Sequence, residues 1–191
     1  MEYMKGLEDN AFDLAIVDPP YGIDINKSGR LGHYGGKGKT WDEAVPEKIY
    51  FDEVIRVSKN QIIWGANYFN MPPTRCFLIW DKQQPEAVSF ASCEFAWTSF
   101  DKSAKTYYQR PQNADIERIH PTQKPIKLYA WLLDNYASNE MKILDTHLGS
   151  GSSAIAAHYF DCDFVGCEID TDYFNAAKAR FDNETRQVAM F

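Results

Sequence analysis

Apolar residues along the chain form either short continuous runs or longer stretches in which they recur every three or four positions. Short runs rich in β-branched and aromatic side chains predict strands, whereas a three- and four-residue spacing predicts one buried face of a helix. The predicted strands are Leu14–Val17, Gln61–Trp64, Cys76–Trp80, Glu94–Trp97, Lys142–Leu144 and Asp163–Glu168. Because helical patterns lie between several of these strands, the sequence predicts an α/β fold.

The predicted helices are marked by their first residues as well as by their spacing. Pro46 and Pro125 can each open a helix, because proline fixes φ and its missing N–H has no partner in the first turn. The first helix is expected to end near Ser58. A third helix is expected from about Ser152 to Phe160 and a last one from Asp172 to about Asn183. The expected apolar faces are Ile49, Tyr50, Val54 and Val57 in the first helix; Ile126, Tyr129, Leu132, Leu133 and Tyr136 in the second; and Tyr173, Phe174, Ala177 and Phe181 in the last.

Composition limits the classes of protein that fit. With 191 residues, 45% of them hydrophobic, the chain can form a single domain with one core. No apolar run is long enough to span a bilayer and the first residues lack a signal-peptide pattern, so we expect a cytoplasmic protein. The scattered cysteines and histidines lack metal-ligand spacing, and no metal site is expected.

Two segments are candidates for local nucleic-acid contact in a chain whose net charge is −7. This balance argues against nucleic-acid binding by the whole surface, so any such contact must be local. The glycine-rich stretch 22–40 carries Lys27, Arg30, Lys37 and Lys39, and is either a phosphate-binding loop or a solvated one. The aperiodic segment 99–119 carries Lys102, Lys105 and Arg110, and is a candidate for a short insertion that contacts the target.

The sequence Asp18-Pro19-Pro20-Tyr21 follows directly on the first predicted strand. Ligands of open α/β sheets bind at the carboxyl ends of the strands. Two prolines remove two N–H donors, so this corner offers the Asp18 carboxylate and nearby carbonyls as acceptors beside an aromatic ring. Such a corner suits an amino group on a planar ring, although Asp-Pro-Pro is also an ordinary turn sequence.

A second candidate site begins at Asp145, at the end of another predicted strand. The glycine-rich turn from Thr146 to Ser153 leads into a helix, and glycines there allow a ligand close to the backbone. Glu168 comes 19 residues after Gly149, near the spacing at which an acid accepts hydrogen bonds from ribose hydroxyls. This pattern also fits a dinucleotide-dependent oxidoreductase, although Asp145 would repel a pyrophosphate.

These two motifs, with His120-Pro121-Thr122-Gln123-Lys124-Pro125 between them, resemble those of the β class of DNA amino-methyltransferases, in which the catalytic motif precedes the cofactor motif. Trp64 to Phe69 and Trp80-Asp81-Lys82 look like the small phage-type members. The resemblance implies a Rossmann-like, S-adenosylmethionine-dependent fold with a mostly parallel sheet, helices on both faces and a circularly permuted motif order. His147 and Ser152 depart from the usual Asp-Pro-Phe-x-Gly-Ser-Gly-Thr form of the cofactor motif.

The resemblance also implies roles for individual residues. Asp18 and the Pro19 carbonyl would accept hydrogen bonds from the amine, and Tyr21 would stack on a base turned out of double-stranded DNA, with Pro20 completing the catalytic motif. Asp145 would meet the charged methionine portion of the cofactor. The residues assigned to cofactor binding are Thr122, Lys124, Asp145, His147, Gly149, Ser150, Gly151, Ser152 and Glu168.

Aspartate in the first position of the motif resembles adenine-directed enzymes of DNA methylation and restriction-modification. Cytosine or RNA as substrate, and an inactive DNA-binding remnant, remain alternatives. The family usually carries a strand and an acid upstream of Met1, so either another residue serves, the start is truncated, or cofactor binding is weak. The short middle segment suggests relaxed specificity, a homodimer, or a partner that supplies DNA contacts.

Overall fold

A single twisted sheet runs through the part of the chain that the structure describes. The computed structural model describes residues 1–25, 38–85, 90–111 and 118–186. The strands are β1 (Phe12–Val17), β2 (Ser58–Trp64), β3 (Phe77–Asp81), β4 (Cys93–Thr98), β5 (Lys105–Tyr108), β6 (Lys142–Asp145) and β7 (Asp163–Gly166). Their order is β5-β3-β4-β2-β1-β6-β7. Only β4 is antiparallel to its neighbours, β2 and β3, so the prediction of a mostly parallel α/β sheet is confirmed.

Helices cover both faces of this sheet. They are α1 (Glu2–Lys5), α2 (Lys48–Val57), α3 (Ile126–Tyr136), α4 (Ser152–Phe160) and α5 (Thr171–Arg186). Leu14 and Ile16 of β1 pack in one apolar cluster with α3 and α4, whereas Ala15 and Val17 pack in another with α1 and α2. Since β1 is buried on both faces, its sequence is a continuous apolar run rather than an alternating one. None of the described helices is long and apolar enough to cross a membrane.

Two helices bury most of the predicted apolar face but expose one of its residues each. In α2, Ile49 is 54% exposed, and the buried residues are Tyr50, Phe51, Val54 and Val57. These four occupy one contiguous side of the helix, and Ile49 lies at its margin. In α5, Phe174 is 43% exposed while Arg180 is buried, because Arg180 donates hydrogen bonds to the Ser150 carbonyl and the Ser152 hydroxyl.

Part of the segment predicted as an insertion belongs to the sheet. Residues 105–108 form β5, which pairs in parallel with β3 from Leu78↔Lys105 to Asp81↔Tyr108. The short helix α1 was not predicted from the sequence. It is held against α2 by Arg56, whose guanidinium donates to the carbonyl oxygens of Met4 and Leu7.

The register of β1 brings the two sequence motifs together. β1 pairs in parallel with β6 through Leu14↔Ile143 and Ala15↔Leu144. Because parallel strands end at the same edge of a sheet, Asp18 after β1 and the turn after β6 lie at one edge. β7 extends this edge by pairing Gly166 with Asp145, which places Glu168 beside the turn.

Two alanine substitutions test this assignment of buried faces. Leu132 is fully buried between α3 and the sheet, so Leu132→Ala should lower the free energy of unfolding by about 2–5 kcal/mol. Ile49→Ala removes a side chain of similar size from an exposed helical position, where alanine has the better helix propensity, and should cost less than about 0.5 kcal/mol. Urea unfolding of both variants measures the difference, and equal losses would contradict the assignment.

Candidate active site

The loop that carries Asp18 is fixed by a buried aspartate further along the chain. Asp42 is 2% exposed, and its carboxylate accepts hydrogen bonds from the backbone N–H groups of Tyr21, Gly22 and Ile25 at 2.9, 3.0 and 2.9 Å. Hydrogen bonds to an ionised group are stronger than neutral ones, so one side chain holds the whole turn. The backbone after Pro20 is thereby set before any ligand binds.

Tyr21 is held by ring packing and by its hydroxyl. Its ring stacks on Tyr68 with 5.0 Å between centroids and 14° between planes. Gly65 has φ +70°, and a Cβ there would lie 2.0 Å from Cε1 of Tyr21, so only glycine permits this close approach. The Tyr21 hydroxyl donates to Oδ1 of Asp18 at 2.7 Å.

Lys124 links Asp18 to a second carboxylate. Its ammonium lies 2.5 Å from Oδ2 of Asp18 and 2.9 Å from Oε2 of Glu94. Lys82 binds the other oxygen of Glu94 at 2.7 Å. The Lys124 side chain is 3% exposed, so the strand ends and the segment before α3 enclose a paired set of buried charges.

Asp145 holds the two ends of the glycine turn through hydrogen bonds to its carboxylate. Its carboxylate accepts hydrogen bonds from the backbone N–H of His147 at 2.9 Å and from the Ser153 hydroxyl at 2.6 Å. Burial raises the pKa of Asp145 to about 7, against the effect of these two donors. The Asp145 carboxylate therefore contacts the glycine turn and α4. Asp145 does not line the cavity beside this turn, although the sequence predicted that it contacts the cofactor.

Glu168 closes the turn from the side of β7. Oε2 accepts the Gly149 N–H at 2.8 Å and Oε1 accepts the Asp170 N–H at 3.0 Å. Gly151 and Ser152 lie behind the turn: a Cβ on Gly151 would meet Ala177 of α5 at 3.2 Å, and the Ser152 hydroxyl accepts from Arg180. These contacts pack the turn onto α5.

One cavity of about 310 Å³ joins the two motifs. Asp18 and Pro20 line it on the β1 side, and Gly149, Ser150 and Glu168 line it on the other. Of the other residues assigned to the cofactor, Thr122, Lys124 and His147 also line it, whereas Asp145, Gly151 and Ser152 do not. We call this space the turn cavity.

Two histidines, the buried His120 and the half-buried His147, line the turn cavity. Burial lowers the pKa of His120 to about 3 and that of His147 to about 4, so both are neutral at physiological pH. The His120 ring packs against Tyr173, 4.3 Å between centroids, and against Trp41 at 5.2 Å. Nδ1 of His147 lies 3.1 Å from the Thr146 hydroxyl and 3.3 Å from the Tyr50 hydroxyl, which gives this departure from the family motif a defined polar environment.

A second cavity, also of about 310 Å³, lies on the other side of Lys124. Tyr21, Tyr68 and Trp80 provide aromatic walls, and Glu94 and Lys82 provide charge. Thr122, Gln123 and Lys124 line both spaces. We call this second space the aromatic cavity; of the catalytic motif, Pro19 is buried and borders neither cavity.

The basic residues assigned to nucleic acid are placed differently from one another. Lys27, Arg30 and Lys37 lie outside the described residues. Lys39 forms ion pairs with Asp170 and Asp172 at 2.6 and 2.7 Å, so it ties its segment to the start of α5. Lys102 and Lys105 both contact Asn135 of α3, and Arg110 precedes Pro111 at the rim of the aromatic cavity.

Sequence reasoning missed Asp42, Lys82 and Glu94 as parts of the site. Glu94 had a usable signal, because it is an acid in an otherwise apolar strand run, Cys93–Trp97. Lys82 was noted only within Trp80-Asp81-Lys82. Asp42 had no signal, since an aspartate in a polar loop is common.

The chain is similar in sequence to known DNA-modifying proteins. A family model described as DNA methylase matches residues 63–179. The type II methyltransferase M2.MboI of Moraxella bovis is 24% identical over 149 residues, which cover 76% of this chain and 49% of that protein. The chain therefore spans about half the length of this relative.

Solved structures of methyltransferases share the fold. A complex of M1.HpyAVI with SAM aligns with a TM-score of 0.56 at 20% identity, covering 94% of this chain and 92% of the other. The PvuII DNA methyltransferase, described as cytosine-N4-specific, aligns with a TM-score of 0.64 at 10% identity, covering 96% and 86%. Since the family model covers more than half of the 191 residues, the predicted resemblance to DNA amino-methyltransferases is confirmed and this chain belongs to the DNA methylase family of N6 and N4 methyltransferases.

Proposed function

We propose that this protein transfers a methyl group from S-adenosylmethionine to the exocyclic amine of a base in double-stranded DNA, with adenine as the preferred target. The observation that carries the proposal is the turn cavity, in which the Asp18 corner and the glycine turn face one space. Family membership supports the reaction class.

The turn cavity fits the cofactor in chemical character. The acidic residues Asp18, Glu168 and Asp170 line it, which suits a ligand that carries a sulfonium, an ammonium and two ribose hydroxyls. Glu168 keeps acceptor capacity beyond its two backbone contacts, because a carboxylate has about four lone-pair sites. When bound, S-adenosylmethionine supplies an electrophilic methyl group.

Asp18 is arranged to act on an amine rather than to remove a proton from it first. The exocyclic amine is a weak nucleophile because its lone pair is delocalised into the ring. Tyr21 and Lys124 occupy part of the acceptor capacity of Asp18 and leave room for one N–H of the amine. The motif alone assigns the second N–H to the Pro19 carbonyl, since Pro19 borders neither cavity. Acceptors on both N–H groups return electron density to nitrogen and aim the amine at the methyl group.

The aromatic cavity is our candidate for the target base. Tyr21 and Tyr68, stacked on each other, line it together with Trp80, and stacking on aromatic side chains stabilises a base that has left the duplex. Adenine is preferred because aspartate opens the motif, as in adenine-directed enzymes. A structural neighbour is described as cytosine-N4-specific, so product identification must include both modified bases and an RNA substrate.

Asp18→Ala should reduce methyl transfer by at least about 100-fold while cofactor affinity changes little, because the variant removes an acceptor used in the transition state. Lys124 keeps Glu94 as a partner in this variant, which limits structural damage. Mass spectrometry of N6-methyladenine and N4-methylcytosine in treated DNA measures the product, and calorimetry measures cofactor binding. Wild-type turnover in Asp18→Ala would refute the role of Asp18; DNA binding without product by the wild type would indicate a remnant.

Glu168→Gln should weaken S-adenosylmethionine binding by on the order of tenfold, since a hydrogen bond to a charged group contributes roughly 1.5–3 kcal/mol. The substitution keeps one oxygen for the turn but removes the charge. Asp182→Asn provides the control, because Asp182 is an acid on α5 that pairs with Lys178 and lines neither cavity. Equal dissociation constants for Glu168→Gln and wild type, measured by calorimetry, would remove Glu168 from the cofactor site.

A further inference from the structure

Four charged side chains of alternating sign connect the aromatic cavity to the turn cavity. They run from Lys82 to Glu94, then to Lys124, and finally to Asp18, with N···O distances of 2.7, 2.9 and 2.5 Å. The exposed fractions of Lys124, Asp18 and Glu94 are 3%, 14% and 19%. A buried lysine with two carboxylates is costly to desolvate, so its presence at the site calls for a function.

We propose that Lys124 and Glu94 are positioning residues for methyl transfer: Lys124 keeps Asp18 an acceptor-only carboxylate, and Glu94 anchors Lys124 while opposing the charge on Asp18. The catalytic meaning of this proposal rests on the proposed function. The electrostatic coupling itself does not.

The charge on Asp18 decides what it can do. A protonated carboxyl carries an O–H donor in place of one acceptor, so it would face the N–H groups of the target with the wrong hydrogen-bonding character. Burial raises the pKa of Asp18, the Lys124 ammonium opposes that rise, and the Glu94 carboxylate adds to it. Lys124 is thus the main group that favours the ionised form.

Glu94 remains charged because it has two partners. Burial alone would raise its pKa, but Lys124 and Lys82 together lower it to about 2. The pKa of Lys124 is raised by its two carboxylates in spite of burial. Both members of the positioning pair therefore keep their charge across the pH range in which Asp18 titrates.

The other titratable groups around Asp18 leave this balance intact. Burial raises the pKa values of Tyr21, Tyr50 of α2 and Tyr129 of α3, so all three stay neutral. Asp145 at the end of β6 is a further acid whose own pKa is raised in part by Asp18. It is present in every variant considered below, so it does not affect their comparison.

The direct test is a titration of the Asp18 carboxyl, monitored by carbon NMR of protein labelled in aspartate. The Asp18 signal is identified as the one that is lost in Asp18→Asn. In Lys124→Met the midpoint should rise by on the order of one to three pH units, since an opposite charge within contact distance has that effect. In Glu94→Gln it should fall, because a like charge is removed. Lys124→Arg should restore the wild-type range.

These opposite signs separate the proposal from a purely structural role. If Lys124→Met does not fold by circular dichroism, the fall in Glu94→Gln still decides the question. A midpoint that stays at the wild-type value in Lys124→Met, or that rises in Glu94→Gln, overturns the proposal. So does a loss of cofactor affinity in Lys124→Met without any change in the titration, because Lys124 would then serve the cofactor alone.

Turnover gives a second readout. The acid limb of the kcat profile should move in the same directions as the Asp18 titration, and Lys178→Met, an exposed ion-pair variant on α5, should leave it in place. An acid limb that stays at the wild-type pH in both Lys124→Met and Glu94→Gln contradicts the catalytic part of the proposal. If the wild type makes no methylated base at all, the proposed function fails, while the NMR titration still tests the coupling.

Discussion

The parallel pairing of β1 with β6 is the constraint on which the site depends. It joins residues that are far apart in the chain, and it does so at the one edge where the backbone of both strands ends. Neither motif forms the turn cavity alone: Asp18 and Pro20 line one side of it, and Gly149, Ser150 and Glu168 line the other. The motif order in the chain can be permuted because adjacency in the sheet, not in sequence, builds the cavity.

Burial of charge is the second constraint at this edge. An isolated buried carboxylate or ammonium is strongly destabilising, so each charged group that faces inward needs a partner. Asp42 is satisfied by three backbone N–H groups, Glu168 by two, and Asp18, Glu94, Lys124 and Lys82 by one another. The result is a site whose geometry exists before a ligand arrives, as electrostatic preorganisation requires.

Much of this architecture could be predicted from the sequence, because apolar periodicity reports burial directly. The strand that ends before Asp18 and the helix from Ser152 to Phe160 are predicted by their apolar pattern, and the turn after Asp145 is predicted by its glycines. The buried faces of α2 and α5 were partly wrong, since apolar spacing cannot show that Ile49 lies at a margin or that Arg180 finds buried acceptors. Likewise, the roles of Asp145 and Lys124 depend on side-chain direction, which a motif does not carry.

The direction of β4 explains how Glu94 comes to lie in the site. In an all-parallel sheet, a residue at the start of a strand lies at the edge opposite to the ligand. β4 runs antiparallel to β2 and β3, with Trp64 opposite Ala96 and Trp80 opposite Glu94, so its first residues lie where β2 and β3 end. Lys82 after β3 and Glu94 near the start of β4 are therefore neighbours at the carboxyl edge. A single reversed strand thus brings an acid to the ligand side of the sheet, where it meets Lys124 between the two cavities.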